Sequence, residues 1–198
     1  MSHKNPDRIS EYEFSIGVRL THWIRFVAIT LLVVSGYYIS YVFMSPEITS
    51  EPTNFMQAKW RLAHQVAGFV LIAVFIFKFY LFVFDKHSKK EWMSVLDFLS
   101  PKVWIAQIKY YIFMGPHPHL RGVYNPLQFA SYFFFYVILA LICLTGLVLY
   151  AHVYHNGLGG AIYEPARYFE ELMGGLANVR TIHRICMWII MIFVPIHV

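Results

Sequence analysis

Apolar and polar residues follow one another along this chain in long blocks, not at the short periods of a soluble fold. Four apolar blocks stand at about 18–43, 60–84, 127–154 and from 180 onward. Each is long enough to cross a hydrocarbon core of about 30 Å as an α-helix. Turn-forming stretches separate them: SPEITSEPTN after the first, GPHPHLRGVYNP before the third and NGLGG after it. The fourth is still apolar at Val198, so a polar tail is expected to follow it. The pattern predicts an all-α membrane protein, one domain over 1–198 built as a four-transmembrane-helix bundle.

The long loop between the second and third blocks carries its own pattern. In PKVWIAQIKYYIFMG, Lys102 and Lys109 share one helical face while Ile105, Ile108 and Ile112 line another. That predicts a short amphipathic helix, either lying in the headgroup layer or packed as an ordinary loop helix.

Composition agrees with a membrane setting. Of 198 residues, 58% are hydrophobic and only 14% charged, against about a quarter charged in soluble domains. Cys143 and Cys186 both lie inside apolar runs, with no CxxC or CxxCH, which argues against a disulfide framework, an iron–sulfur ligand set and covalent haem attachment. The net charge of +5 is spread over loops, so nucleic acid is not an expected partner. The N-terminal MSHKNPDRISEYEF has no apolar signal region, and no cleaved secretory signal is expected there.

Basic residues set the expected orientation. Lys4, Arg8, Arg19 and Arg25 flank the first block, and Lys86, Lys89, Lys90, Lys102, Lys109 and Arg121 fill the long loop. The other loops and helix ends hold Lys59, Arg61, Arg167, Arg180 and Arg184 with Glu47, Glu51, Glu164, Glu170 and Glu171. The N-terminus and long loop are therefore expected in the cytoplasm, with the acidic loops outside.

That orientation sorts the ten histidines by depth. His22 starts the first helix on the inner side and His64 starts the second on the outer side. His183 and His197 lie fourteen positions apart on the fourth helix. That spacing is a rise of roughly 21 Å and a turn of about 1400°, so both rings leave one face. Two cross-helix pairs result: His64 with His183 outside, and His22 with His197 inside. Opposed neutral imidazoles in an apolar bundle suit a bis-histidine haem b, which leaves iron no open position and serves electron transfer.

Three of these histidines follow an arginine by three residues: Arg19 in RLTH, Arg61 in RLAH and Arg180 in RTIH. Each guanidinium shares its histidine's face nearer the water, where it can fork onto a haem propionate; plain anchoring at the interface is the alternative. His197 has no such partner, so Arg19 or Arg25 would serve the inner haem. Gly36, Gly68 and Gly146 fall where a flat macrocycle could approach the backbone, or where helices pack closely. Trp23, Trp60, Trp188 and the aromatic FASYFFFYV run would exclude water around the rings or face lipid.

The other histidines carry simpler readings. His3 and His87 read as solvated, and His152 and His155 mark the outer end of the third helix as rivals to His64. His117 and His119 lie in GPHPHLRG on the inner side, where a quinone taking electrons also needs protons. His119 is the candidate quinone residue, with a solvated loop histidine as the alternative.

The order VRLTHW, WRLAHQVAG, YNPLQFASYFF with LTGLVLY, then IHRICMW ending in IHV, resembles the b-type cytochrome subunit of membrane-bound nickel–iron hydrogenases along essentially the whole chain. Other dihaem cytochromes, such as formate dehydrogenase membrane subunits, share the four-helix plan. The resemblance implies two haems b with His22, His64, His183 and His197 as axial ligands. It also implies a hydrogenase large and small subunit docked on the periplasmic face. Electrons would pass through the outer and then the inner haem to menaquinone or ubiquinone. The chain itself would be an electron-transfer subunit and not a catalyst.

Two readings of other classes remain open. One is a transporter or metal channel, against which no acidic residue lies in a span and Lys78 is the one lysine within one. The other is a plain membrane anchor for a partner.

Overall fold

A computed structural model of the chain describes residues 14–44, 55–85 and 88–197. His3, Lys4, Arg8, Glu47, Glu51, Lys86, His87 and Val198, all named above, lie outside the described residues. The long helices are α1 (Ile16–Ser40), α2 (Met56–Phe84), α5 (Pro126–Val153) and α8 (Leu176–His197). At 22 to 29 residues each, they rise roughly 33–44 Å and pass the thickness of a hydrocarbon core. Between them lie α3 (Lys89–Phe98), α4 (Pro101–Tyr111), α6 (Leu158–Ala161) and α7 (Tyr163–Leu172). All described secondary structure is helical.

The spans present apolar side chains outward: Trp23, Phe79, Phe133 and Ile192 are each 60% or more exposed. In water that surface would be unfavourable by about 25 cal/mol per Å²; in lipid it carries no such cost. Four helices of this length and composition make the chain a multi-pass membrane protein.

By compactness the chain forms two units, one from residues up to 23 with 77–129, the other from 24–76 with 130–198. In the first unit, buried acids organise the loop helices. Lys78 on α2 meets both carboxylate oxygens of Glu91 on α3 at 3.0 and 3.1 Å, and both side chains are about nine-tenths buried. Buried Asp97 accepts the backbone N–H groups of Arg121 and Gly122, and Ser94 that of Tyr124, so the strap leading to α5 lies on α3. Asn125 and Gln128 cap the start of α5 reciprocally, with Pro126 in the first helical position. The amphipathic α4 is present, with Ile105, Ile108 and Ile112 exposed and Gln107 buried.

In the second unit one apolar cluster draws on all four long helices: Ala28 from α1, Leu71 from α2, Leu139 from α5, and Cys186 and Ile190 from α8. A smaller cluster of Val148, Ala151, Ala166 and Val179 joins α7 to α5 and α8. Between α7 and α8 the chain turns at Gly174 and Gly175, both with positive φ. Their N–H groups bond the carbonyls of Glu171 and Glu170 in the pattern of a Schellman cap.

Candidate functional site

Within the second unit, the N-terminal parts of α2 and α8 and the C-terminal halves of α1 and α5 surround a cavity of about 540 Å³, inside the roughly 300–1,000 Å³ range of cofactor pockets. It is lined by aliphatic residues such as Ile29, Leu32, Leu71 and Ile142, with Arg61, Arg180, Arg184 and His152 among its polar lining. Two histidines project into it from different helices, His64 from α2 and His183 from α8.

Their ring centres are 6.3 Å apart, with the planes inclined at 63°. Two imidazoles sharing one metal, with bonds of about 2 Å and ring nitrogens about 1 Å from the ring centre, stand roughly 6 Å apart. The observed separation fits one metal between the rings.

The other ring nitrogens are already taken. His64 Nδ1 is 2.9 Å from Ser35 Oγ on α1, and His183 Nδ1 is 2.9 Å from Thr145 Oγ1 on α5. Each hydroxyl spends its own proton on a backbone carbonyl one turn back: Ser35 on Leu31 at 2.6 Å, Thr145 on Leu141 at 2.9 Å. The hydroxyl oxygens therefore accept, the Nδ1 atoms carry the protons, and the Nε2 lone pairs are the metal-binding ones.

Glycines make room for the rings. A Cβ at Gly36 would lie 3.1 Å from His64 Cε1, and one at Gly146 would lie 3.5 Å from His183 Cε1. Gly36 thus makes room for the His64 ring itself, while a Cβ at Gly146 would only touch the His183 ring and one at Gly68 would meet Leu32 at 3.9 Å; all three glycines line the cavity. Among the described residues no group of three or more His, Cys, Asp or Glu side chains is assembled. Two opposed imidazoles as protein donors suit a metal that brings its own equatorial nitrogens, and a porphyrin does so.

The remaining site candidates are placed as follows. Arg61 and Arg180 line the cavity, as expected, and so does Arg184, which sequence reasoning counted only for orientation. Its guanidinium also lies 5.9 Å from the ring centre of Tyr41. His152 reaches the cavity wall but pairs through Nδ1 with buried Glu170 at 3.4 Å, and Glu170 also binds Arg167 at 2.8 Å. It is His64, not His152, that faces His183.

Arg25 donates to the Tyr136 hydroxyl at 2.6 Å and lies over the Phe135 and Tyr136 rings. Trp60 stacks on buried Tyr38 at 4.6 Å, whereas Trp23 and Trp188 are exposed. His22, in the first unit, is exposed and meets Trp23 edge-on at 5.6 Å; Arg19 is exposed on the same helix. His197, in the second unit, stacks on Phe193 and holds its Nδ1 2.8 Å from the Val194 carbonyl. His119 is exposed in the loop after α4.

Four membrane helices and a cofactor-sized cavity spanned by opposed imidazoles define a membrane haem protein of the cytochrome b class. Residues 13–198 match the family model for prokaryotic cytochrome b561, and the chain belongs to that family. It is 31% identical to the "Probable Ni/Fe-hydrogenase B-type cytochrome subunit" of Rhodobacter capsulatus, over 96% of this chain and 73% of that protein. It is 30% identical to the "Probable Ni/Fe-hydrogenase 1 B-type cytochrome subunit" of Escherichia coli K12, over 100% of this chain and 85% of that protein. The similarly named subunit of Cupriavidus necator is 29% identical over 94% of this chain.

Proposed function

We propose that this chain is the membrane-anchoring dihaem cytochrome b subunit of a nickel–iron hydrogenase, passing electrons from the hydrogenase to the quinone pool. The observation that carries the reading is the His64–His183 pair, 6.3 Å apart, with both Nδ1 atoms engaged by hydroxyls. A haem bound there would supply a one-electron couple. The residues of the cavity would divide the work simply. His64 and His183 would hold the metal, and Arg61 and Arg180 would pair with the propionates. The apolar wall keeps water out, and Gly36, Gly68 and Gly146 leave space for the rings and the macrocycle.

From the sequence alone, the reading adds a second site that pairs His22 with His197, with Arg19 or Arg25 as its basic neighbour. Lys89, Lys90, Lys102, Lys109 and Arg121 in the loop between α2 and α5, against Glu164, Glu170 and Glu171 on α7, support a cytoplasmic N-terminus and long loop in the inner membrane. Electrons would enter at the periplasmic end, where the hydrogenase large and small subunits dock, and cross to the second site. They would leave to menaquinone or ubiquinone near the inner surface, where His119 would hand over a proton. The hydrogenase names of the relatives favour that partner over a formate dehydrogenase.

The test joins spectrum and turnover. The complex purified from membranes is expected to show a b-type reduced-minus-oxidised spectrum. His64→Ala and His183→Ala should each remove about half of it in a two-haem protein and abolish hydrogen-dependent quinone reduction, while hydrogenase activity with a soluble dye persists. Quinone reduction surviving both substitutions would leave only an anchor.

A further inference from the structure

The ligand pair is held by a device that occurs twice. On α1 the run LLVVSG places Ser35 and Gly36 against His64; on α5 the run LICLTG places Thr145 and Gly146 against His183. In both, the hydroxyl receives the imidazole N–H, returns its own proton to the carbonyl four residues back, and the next residue is a glycine facing the ring's Cε1. Both hydroxyls are 3% exposed or less, so water does not substitute for them.

From this geometry we infer that Ser35 and Thr145 are paired positioning residues that fix the tautomer and electron donation of the two histidines and thereby set the reduction potential of the metal they share. The inference rests on the reading of His64 and His183 as axial ligands. The physical link is the partial charge the acceptor draws from the imidazole N–H. A stronger acceptor makes the ring more basic toward the metal and favours the oxidised ion; a weaker one favours the reduced ion. A hydroxyl whose own proton is committed to a carbonyl is a better acceptor than a freely rotating one, because that bond polarises the oxygen. It remains a neutral acceptor, well short of the carboxylate often found behind a metal-bound histidine. The expected effect is therefore at the low end of the range for such outer partners.

Redox titration of the purified full-length chain in its complex, followed by the b-type absorption band, tests this. Thr145→Val, which keeps the volume and removes the hydroxyl, should shift the midpoint of one haem to more positive potential. The reduced-to-oxidised ratio at fixed ambient potential should change about tenfold, which is about 59 mV for a one-electron couple. Haem content and the bis-imidazole spectrum should be unchanged. Ser35→Ala should act in the same direction on the same haem, and Thr145→Ser, which restores the hydroxyl, should return the parent midpoint.

A parent-like midpoint in Thr145→Val and Ser35→Ala, with the spectrum intact, would overturn the inference. So would an equal shift in Thr145→Ser. If one of the two variants fails to assemble, the other decides by the same criterion. Absence of a bis-imidazole haem from the parent protein would instead remove the ligand reading itself, an outcome told apart by the spectrum before any titration.

Discussion

Gly36→Ala is the sharpest perturbation of the ligand seat. Its new methyl would stand 3.1 Å from Cε1 and 3.5 Å from Nδ1 of His64. Ordinary carbon–carbon contact is about 3.5–4.0 Å, so the ring has to retreat by roughly half an ångström. It cannot do so freely, because Ser35, the neighbouring residue on α1, holds Nδ1 at 2.9 Å. Metal–ligand distances are held to about 0.2 Å, so a retreat of that size breaks or lengthens the bond to any metal shared with His183. The fold itself loses little: overpacking costs about 1–3 kcal/mol, and exchanging glycine for alanine within a helix returns about 1 kcal/mol. The variant should therefore keep its thermal unfolding midpoint within a few degrees while losing haem, or should retain haem with an altered axial-ligand spectrum. Haem-to-protein ratio, low-temperature absorption and a thermal melt in detergent measure all three. A parent-like haem ratio and spectrum would refute the claim that His64 is a ligand held against Gly36. Gly146→Ala provides the contrast, since its methyl meets His183 Cε1 at 3.5 Å, an ordinary contact. Haem loss there, with an unaltered spectrum in what remains, would trace to the macrocycle, and full haem content would remove the role proposed for Gly146.

Other outcomes follow from the same geometry. Lys78→Met leaves the Glu91 carboxylate buried without its cation and should destabilise the chain by about 3 kcal/mol, while Lys78→Met with Glu91→Leu should recover most of the loss in a detergent melt; equal losses in single and double variants would contradict this. Asp97→Ala removes the acceptor of the Arg121 and Gly122 amides and should cost about 2–3 kcal/mol. Limited proteolysis should then cut faster between 112 and 125, and an unchanged cleavage rate would count against the strap. Arg61→Gln and Arg180→Gln should speed haem loss during detergent washing without altering the ligand spectrum, because both side chains line the cavity and a guanidinium pairs with a propionate, not with the metal. A changed axial spectrum would instead give them a role at the ligands.

Much of this architecture was legible in the chain because a membrane reduces the sequence code to length and polarity. The expected spans at 18–43, 60–84, 127–154 and from 180 correspond to Ile16–Ser40, Met56–Phe84, Pro126–Val153 and Leu176–His197. Starts moved outward by up to four residues because first turns such as Met56–Lys59 and Leu176–Val179 are helical but carry polar residues, Gln57 and Lys59 in one and Asn178 in the other, which interrupt the apolar run. For that reason Lys59 joins Lys78 inside α2. The helices α3, α6 and α7 escaped notice. On α3 and α7 buried polar residues such as Glu91, Asp97 and Glu170 hold the helix in place, and these read as solvated charge when seen alone. His64 and His183 were found by depth, since one relation between helices was enough to pair them. Ser35 and Thr145 were not, because a hydroxyl within an apolar helix looks like a small packing residue. The available signal was repetition: LLVVSG and LICLTG share a leucine, a hydroxyl four residues on, and then glycine.

That repetition explains why the separation of the two rings is a property of the bundle and not of any single helix. The histidines stand on α2 and α8, but the atoms that orient them stand on α1 and α5. A slip of α1 against α2 would carry Ser35 away from His64, and a slip of α5 against α8 would do the same to Thr145 and His183. The apolar cluster of Ala28, Leu71, Leu139, Cys186 and Ile190 resists both slips at once, since it takes at least one side chain from each of the four helices. Cavity-forming changes in such a cluster cost about 2–5 kcal/mol when a large aliphatic side chain becomes alanine. Leu139→Ala, fully buried on α5, should therefore loosen the ring spacing as well as the fold. Its redox titration should broaden into a spread of midpoints before haem is lost. A single sharp midpoint equal to the parent's, in a protein measurably less stable, would show that the two hydroxyl–glycine seats hold the rings without help from the core.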